Sequence, residues 1–196
     1  MSNINDIPDI NRWSLSRADP IKVIEYIEIS EVMRGDISIY QRGAEPSRAK
    51  RRLKHGDTVI STVRPNRGSR FLSLNPSDSL IASTGFAVLT SRDNNWAFLY
   101  SLMTRPEVAE VLGRLSDGGA YPAIRPEIVG DMPIVIPDTT SSCISYQALA
   151  GPIFERMECN RKESRILAKI RDTLLPRLIS GKLRIPDAER LLSPHL

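Results

Sequence analysis

Cysteine and histidine are scarce in this 196-residue chain: Cys143, Cys159, His55 and His195 are all it has. Two loosely spaced thiols make no disulfide framework, and with two scattered histidines they make no zinc-ligand pattern. A serine or cysteine nucleophile wants a histidine base, yet His55 lies in a basic loop and His195 beside the C-terminus. Nucleotide loops are missing as well, with neither G-x-G-x-x-G nor G-x-x-x-x-G-K-[ST] present. Asn75 and Pro76 begin like the Asn-Pro-Pro-aromatic box of adenine methyltransferases, but Ser77 and Asp78 follow. Asp138 follows Pro137 with no nearby Glu-x-Lys to complete a nuclease metal site. No apolar run approaches the about 18 residues of a membrane span. The polar opening MSNINDIPDINRW holds no signal-peptide core, so the cytoplasm is the expected location. Repeats and low-complexity tracts are absent too. A chain that fails each of these tests is expected to be a reader, with no catalytic residue, metal or cofactor of its own.

What is present is charge, unevenly spread. Charged residues make up 26% and hydrophobic ones 41%, the balance of a folded soluble protein. The net charge of +4 conceals a cluster between Arg42 and Arg70. Arg42, Arg48, Lys50, Arg51, Arg52, Lys54, Arg64, Arg67 and Arg70 stand there against Glu45 and Asp57 alone. Clustering of this kind is the electrostatic footprint of a polyanion partner, or else a solvated basic face.

The length fits one ordinary domain, residues 1–140, followed by an extended element. The domain is expected to be mixed α/β, of α+β type. IKVIEYIEISEV supplies β-branched and aromatic residues for a strand or two, Gly35 and Asp36 a turn, and residues 37–41 an alternating strand. RGAEPSRAKRRLK reads as a loop carrying the first half of the basic cluster. HGDTVISTVRPNRGSRFLSL reads as a hairpin, with strands at Thr58–Val63 and Arg70–Leu74. Arg64, Asn66 and Arg67 then sit at its tip, where guanidinium forks and an amide reach base edges or phosphates, or where Arg64 merely caps the turn. Residues 79–90 read as one apolar strand with Gly85 marking a bulge or a close backbone approach. Trp96, Leu99, Tyr100 and Met103 recur at helical spacing, and Thr104 with Glu107 forms a capping box for a second helix through Leu115. Tyr121, in the loop SDGGAYPAIRPE, either reaches toward DNA or packs the loop down. MPIVIP closes the domain as a short edge strand.

Residues 145–180 read as one long helix closed by Gly181, ahead of a tail at 181–196. Tyr146, Ile153, Asn160, Leu167 and Leu174 recur every seventh position, flanked at helical spacing by Leu149, Met157, Ile170 and Leu178. Mixed charges such as Glu155, Glu158, Arg161 and Lys169 occupy the opposite faces. Such a rod, roughly 50 Å long at about 1.5 Å per residue, cannot bury its seam inside a small domain. Coiled-coil pairing is therefore expected, with a partner or a second copy. Asn160 on the seam either sets register or is a hydrated defect. Gly151 and Pro152 interrupt the first turns, so the firm helix is expected from Pro152, with a kink at Pro176.

Four segments carry a resemblance: YIEISEV with the basic loop and GDTVISTVRPN; ASTGFAVL; GGAYPAIRPEIVGDMPIVIP; and RDTLLPRLISGKLRI. In this order, over most of residues 21–185, they resemble the specificity subunits of type I restriction-modification systems, the last segment being the most specific. The resemblance implies a target recognition domain of mixed α/β structure that grips double-stranded DNA, and a long helix linking it to the next domain. It implies partners as well: a methyltransferase subunit that methylates adenine with S-adenosylmethionine, and a translocating nuclease subunit using ATP and Mg. Members of that family usually carry two domains and two helices paired antiparallel, which set the distance between half-sites. This sequence has one of each, so it looks like a half-subunit expected to pair with a second half, as a homodimer. The rival readings are a stand-alone DNA-binding regulator, and a nuclease or methyltransferase with an unfamiliar site.

Overall fold

The computed structural model describes residues 2–3, 8–30, 32, 37–116, 122–130, 132–134 and 140–186. The strands are β1 (Ser2–Asn3), β2 (Pro8–Ile10), β3 (Val23–Ile27), β4 (Ser38–Gln41), β5 (Ala49–Arg52), β6 (Asp57–Ser61), β7 (Arg70–Ser73), β8 (Leu80–Ser83), β9 (Phe86–Ser91) and β10 (Pro133–Ile134). The helices are α1 (Trp96–Met103), α2 (Pro106–Leu115), α3 (Pro126–Gly130) and α4 (Thr140–Ile179). Two compact units result, Met1–Pro152 and Ile153–Leu196.

The first unit is built on two four-stranded sheets, β2-β9-β6-β7 and β4-β3-β8-β5. Successive strand side chains point to opposite faces, so a strand buried on both sides offers apolar residues to both. β9 does so from Phe86 to Leu89 and β6 at Val59 and Ile60, while Asp57, Thr58 and Ser61 of β6 are buried polar residues. Val59, Phe86 and Val88 join Ile27, Leu53 and Ala82 in the core between the sheets. Their neighbours Ile60, Ala87 and Leu89 face the other way, onto Leu99, Met103, Val108 and Leu112 of α1 and α2. A third cluster lines the second sheet, where Leu15 meets Ile24, Tyr26, Ala49 and Ile81. The mixed α/β expectation therefore holds in the arrangement of the sheets and helices.

Several local expectations are corrected. Residues 79–90 are two strands in different sheets, β8 and β9, with Gly85 at the crossing. What approaches the glycine is a side chain and not a backbone: a Cβ there would lie 2.5 Å from Ile29 Cδ1. The basic stretch 42–54 is not all loop, because Ala49–Arg52 pairs antiparallel with β8. The capping box is absent. α2 opens with Pro106 behind Arg105, which makes no side-chain cap, while the Thr104 hydroxyl turns back to donate to the Ser101 carbonyl. Pro106 removes an amide that the first turn leaves unpaired, so the start needs no serine-type cap.

The long helix begins at Thr140 and passes unbroken through Gly151 and Pro152. Packing explains why the break expected at Pro152 does not occur. The Gln147 Oε1 accepts the Ala97 amide at 2.8 Å, and the Tyr146 hydroxyl meets Ser101 Oγ at 2.7 Å. Gly151 is buried, and a Cβ there would lie 2.8 Å from Gln147 Nε2, with Trp96 Cζ2 at an ordinary contact distance of 3.6 Å, so the glycine leaves room for the Gln147 side chain that accepts from Ala97. At the other end Gly181 adopts φ +69° and its amide donates to the Leu178 carbonyl, the left-handed stop foreseen. The turn at Gly35 and Asp36, the loop with Gly118, Gly119 and Tyr121, and the part of MPIVIP beyond Ile134 lie outside the described residues. So does most of the tail.

Candidate nucleic-acid interface

The structure separates the basic cluster by what each side chain already holds. Arg42 pairs with Glu45 and donates to the Ser16 carbonyl at 2.7 Å. Arg52 is a structural tie too, 2.9 Å from Asp19 and 3.7 Å from Asp78. Arg70 spreads its fork across the end of α1, donating to the carbonyls of Met103 at 3.2 Å and Thr104 at 2.6 Å. Cations at a helix C-terminus satisfy its unpaired carbonyls and its dipole. Arg51 is half-buried, its Nε is buried without a partner, and burial lowers its pKa against the opposing pull of Glu127.

The others remain outward. Arg48 is exposed, with Glu28 at 3.8 Å, and Lys54 lies 3.4 Å from Asp78. Exposed ion pairs of this kind contribute little and exchange readily for another anion. Lys50 is exposed on β5 and makes no ion pair among the described residues.

Arg64, Asn66 and Arg67 stand between β6 and β7, as the hairpin reading requires. Pro65–Arg67 forms a single 3-10 turn, and the backbone at both ends is left-handed, Arg64 at φ 49° and Gly68 at φ 66°. A non-glycine residue held there is strained and persists only where its surroundings fix it. They do so here. The Arg64 amide donates to the Pro122 carbonyl at 2.7 Å, and the Arg67 amide to the Arg64 carbonyl at 2.9 Å. α2 packs against the turn, close enough that a Cβ on Gly113 would lie 3.1 Å from Asn66 Cβ. Asn66 and Arg67 are thus exposed on a rigid tip, which suits geometry-dependent readout of base edges or phosphates.

Sequence reasoning overlooked the leader. The chain at 13–15 runs antiparallel beside β5: the Leu15 amide donates to the Lys50 carbonyl, the Arg52 amide to the Trp13 carbonyl, and Ser14 faces Arg51. This brings exposed Arg12, Trp13 and Arg17 to the basic strand. A tryptophan between two arginines in a polar stretch was the available signal. Among the described residues no group of His, Cys, Asp and Glu gathers to hold a metal ion, and no helix is long and apolar enough to cross a membrane. Tyr121 lies outside the described residues.

In the second unit the seam is open to solvent. Ile153 is 60% exposed, Met157 52% and Leu167 58%. Asn160 is exposed too, while Ile170, Leu174 and Leu178 are half-buried.

No family model matches the chain. It is 26% identical over 133 residues to the Type I restriction enzyme HindI specificity subunit of Haemophilus influenzae, covering 66% of this chain and 29% of that protein. It is 43% identical over 42 residues to the MjaIX specificity subunit of Methanocaldococcus jannaschii, covering 21% of this chain and 10% of that protein. Among solved structures, the HsdS subunit from Thermoanaerobacter tengcongensis superposes with a TM-score of 0.61 at 22% identity, over 88% of this chain and 46% of that one. A chain from a study of assembly and conformational transition in a type I R-M system gives 0.63 at 19% identity, over 94% and 49%. The S subunit from M. genitalium gives 0.55 at 15% identity, over 91% and 45%. The chain therefore spans about half the length of these solved subunits and 29% of the first curated relative. The resemblance carried by the four sequence segments holds: this chain is similar to type I specificity subunits and has their recognition-domain fold.

Proposed function

We propose that the chain is a sequence-specific DNA-recognition subunit of a type I restriction-modification system, directing adenine methylation and restriction that partner subunits carry out. The observation that carries this reading is the rigid, exposed tip at Asn66 and Arg67 on a fold shared with specificity subunits. The methyltransferase subunit with its S-adenosylmethionine, and the translocating nuclease with ATP and Mg, are the partners that the likeness supports. The open seam of α4 supports coiled-coil pairing, and we take the pairing to be with a second copy. Residues 1–140 then act as the recognition domain, α4 as the spacer and residues 181–196 as a tail.

Titration of duplexes at several salt concentrations tests the reading. Lys50→Ala should weaken binding to every sequence and reduce the salt slope by about 0.9. Arg67→Ala should cost roughly 1 to 3 kcal/mol on the target and relax one position, with little change on scrambled duplexes. Arg64→Ala and Asn66→Ala probe the same tip. Arg52 and Arg70 variants need a melting curve beside each titration, since their side chains hold the fold together, and so does an Arg51 variant, whose side chain is half-buried. Unchanged affinity in the Lys50, Asn66 and Arg67 variants would place DNA elsewhere. Purified chain should neither cut nor methylate DNA, and robust methylation by the isolated chain would favour the enzyme reading instead.

A further inference from the structure

Trp13 is 40% exposed, whereas the chain's other tryptophan, Trp96, is 4% exposed. Tryptophan is highly buried on average, and Trp13 stands out in the irregular chain before the Ser14 bridge. The Arg12 guanidinium lies over the indole, 4.8 Å from the ring centroid, and is itself held at 3.0 Å by Asp9. One face of the ring is therefore covered, while the remainder stays open. Cross-strand pairing sets Trp13 beside Arg52 and Leu15 beside Lys50 along β5. Arg52 is occupied by Asp19 and Asp78. Lys50 and Arg17, both exposed, have no ion pair or side-chain hydrogen bond among the described residues. Arg17 sits on a short turn pinned by Asp19, whose carboxylate accepts the Ser16 amide at 2.7 Å. An exposed indole on the segment that joins Arg17 to the strand of Lys50, both without an ion pair among the described residues, matches a polyanion that carries apolar surface as well. A nucleic-acid backbone is of that kind, with phosphates for the cations and sugars for the ring.

We infer that Trp13, with Arg17 and Lys50, forms a second DNA-backbone contact, separate from the tip at Asn66 and Arg67. The inference rests on the DNA-binding reading above and adds a surface to it. The indole packs on sugar and donates its N–H to a phosphate oxygen. Such a contact positions the duplex and carries no sequence information.

The experiment uses the full chain and a random-sequence duplex, followed by intrinsic fluorescence and by anisotropy. Duplex should change the emission of the wild-type chain and shield it from acrylamide, and Trp13→Phe should lose that response because buried Trp96 alone remains. Trp13→Ala should weaken binding about tenfold with an unchanged salt slope, since no charge is removed. Arg17→Ala should weaken binding and lower the slope by about 0.9. Trp13→Phe, which keeps the ring but loses the N–H, should fall between wild type and alanine. Tight binding with no change in Trp13 emission or shielding overturns this inference and leaves the DNA-binding reading intact. Absence of binding to any duplex overturns both. The shielding measurement needs no substitution, so it decides the matter even where a variant fails to fold.

Discussion

Relative to an Asp57→Asn variant, the wild-type chain should gain up to about 3 kcal/mol of stability as the pH falls from 7 to about 4. Asp57 opens β6 and is fully buried. Burial pushes its carboxyl up to about 6 from an ordinary 3.8, against the opposing effects of the Thr90 hydroxyl, the Lys54 amide and nearby cations. Both hydrogen bonds are 2.7 Å long, so the side chain joins the turn before β6 to β9. A folded-state pKa above the unfolded value means that the fold favours the neutral form. The stabilisation is therefore complete below about pH 4 and is lost as the pH rises through about 6. Asparagine keeps the shape and an acceptor for the Lys54 amide, but it has no proton to release. Asp9, held low chiefly by its hydrogen bond to Arg92, and Glu45, held low by backbone amides, lose stabilisation in acid. They do so equally in both proteins and cancel in the difference. Denaturant unfolding followed through Trp96 across this range provides the comparison. A wild-type minus variant difference that stays flat from pH 4 to 7 would sink the assignment.

The hairpin, the apolar strands and the first helix were legible because each depends on local pattern. β9 is apolar on both faces from Phe86 to Leu89, Val59 and Ile60 face opposite ways in β6, and Trp96, Leu99 and Met103 repeat at the helical period. Residues 79–90 misled because a continuous apolar run does not say which sheet its halves join. Only the Gly85 crossing, set by Ile29 from a distant segment, divides them. Gly151 misled in the opposite direction: it reads as a helix breaker, yet it is buried inside α4, where the Gln147 side chain that reaches Ala97, 50 positions away, passes over it. The candidate site shows the same limit. Composition reveals a basic cluster, but Arg42 finds Ser16, Arg52 finds Asp19 and Arg70 finds Met103 only in three dimensions. The same long-range pairing raised Arg12, Trp13 and Arg17 from an unremarked leader to neighbours of Lys50.

On the proposed homodimer, the DNA motif methylated under this gene's control should be two identical, inverted halves separated by bases that are not read. Ile153, Met157 and Leu167 leave a seam in water, and each such side chain is worth about 1.5 to 3 kcal/mol when fully buried. Antiparallel pairing of two copies covers the seam and sets the recognition domains apart. The part of α4 beyond the first unit, from Ile153 to Ile179, spans about 40 Å at about 1.5 Å per residue, against about 34 to 36 Å for one turn of DNA. Two domains so spaced reach separate half-sites on one duplex, and the twofold axis of the protein recurs in the DNA. Replacing Ile153 and Leu167 with glutamate buries like charges at the pairing surface, so self-association should be abolished and the motif should go unmethylated. Each domain should still bind a single half-site weakly. Sedimentation of the double variant and mapping of methylated adenines with and without the gene give the readouts. A gene-dependent motif with two different halves would exclude the homodimer in favour of a second, distinct partner. A short continuous motif would exclude spaced domains altogether.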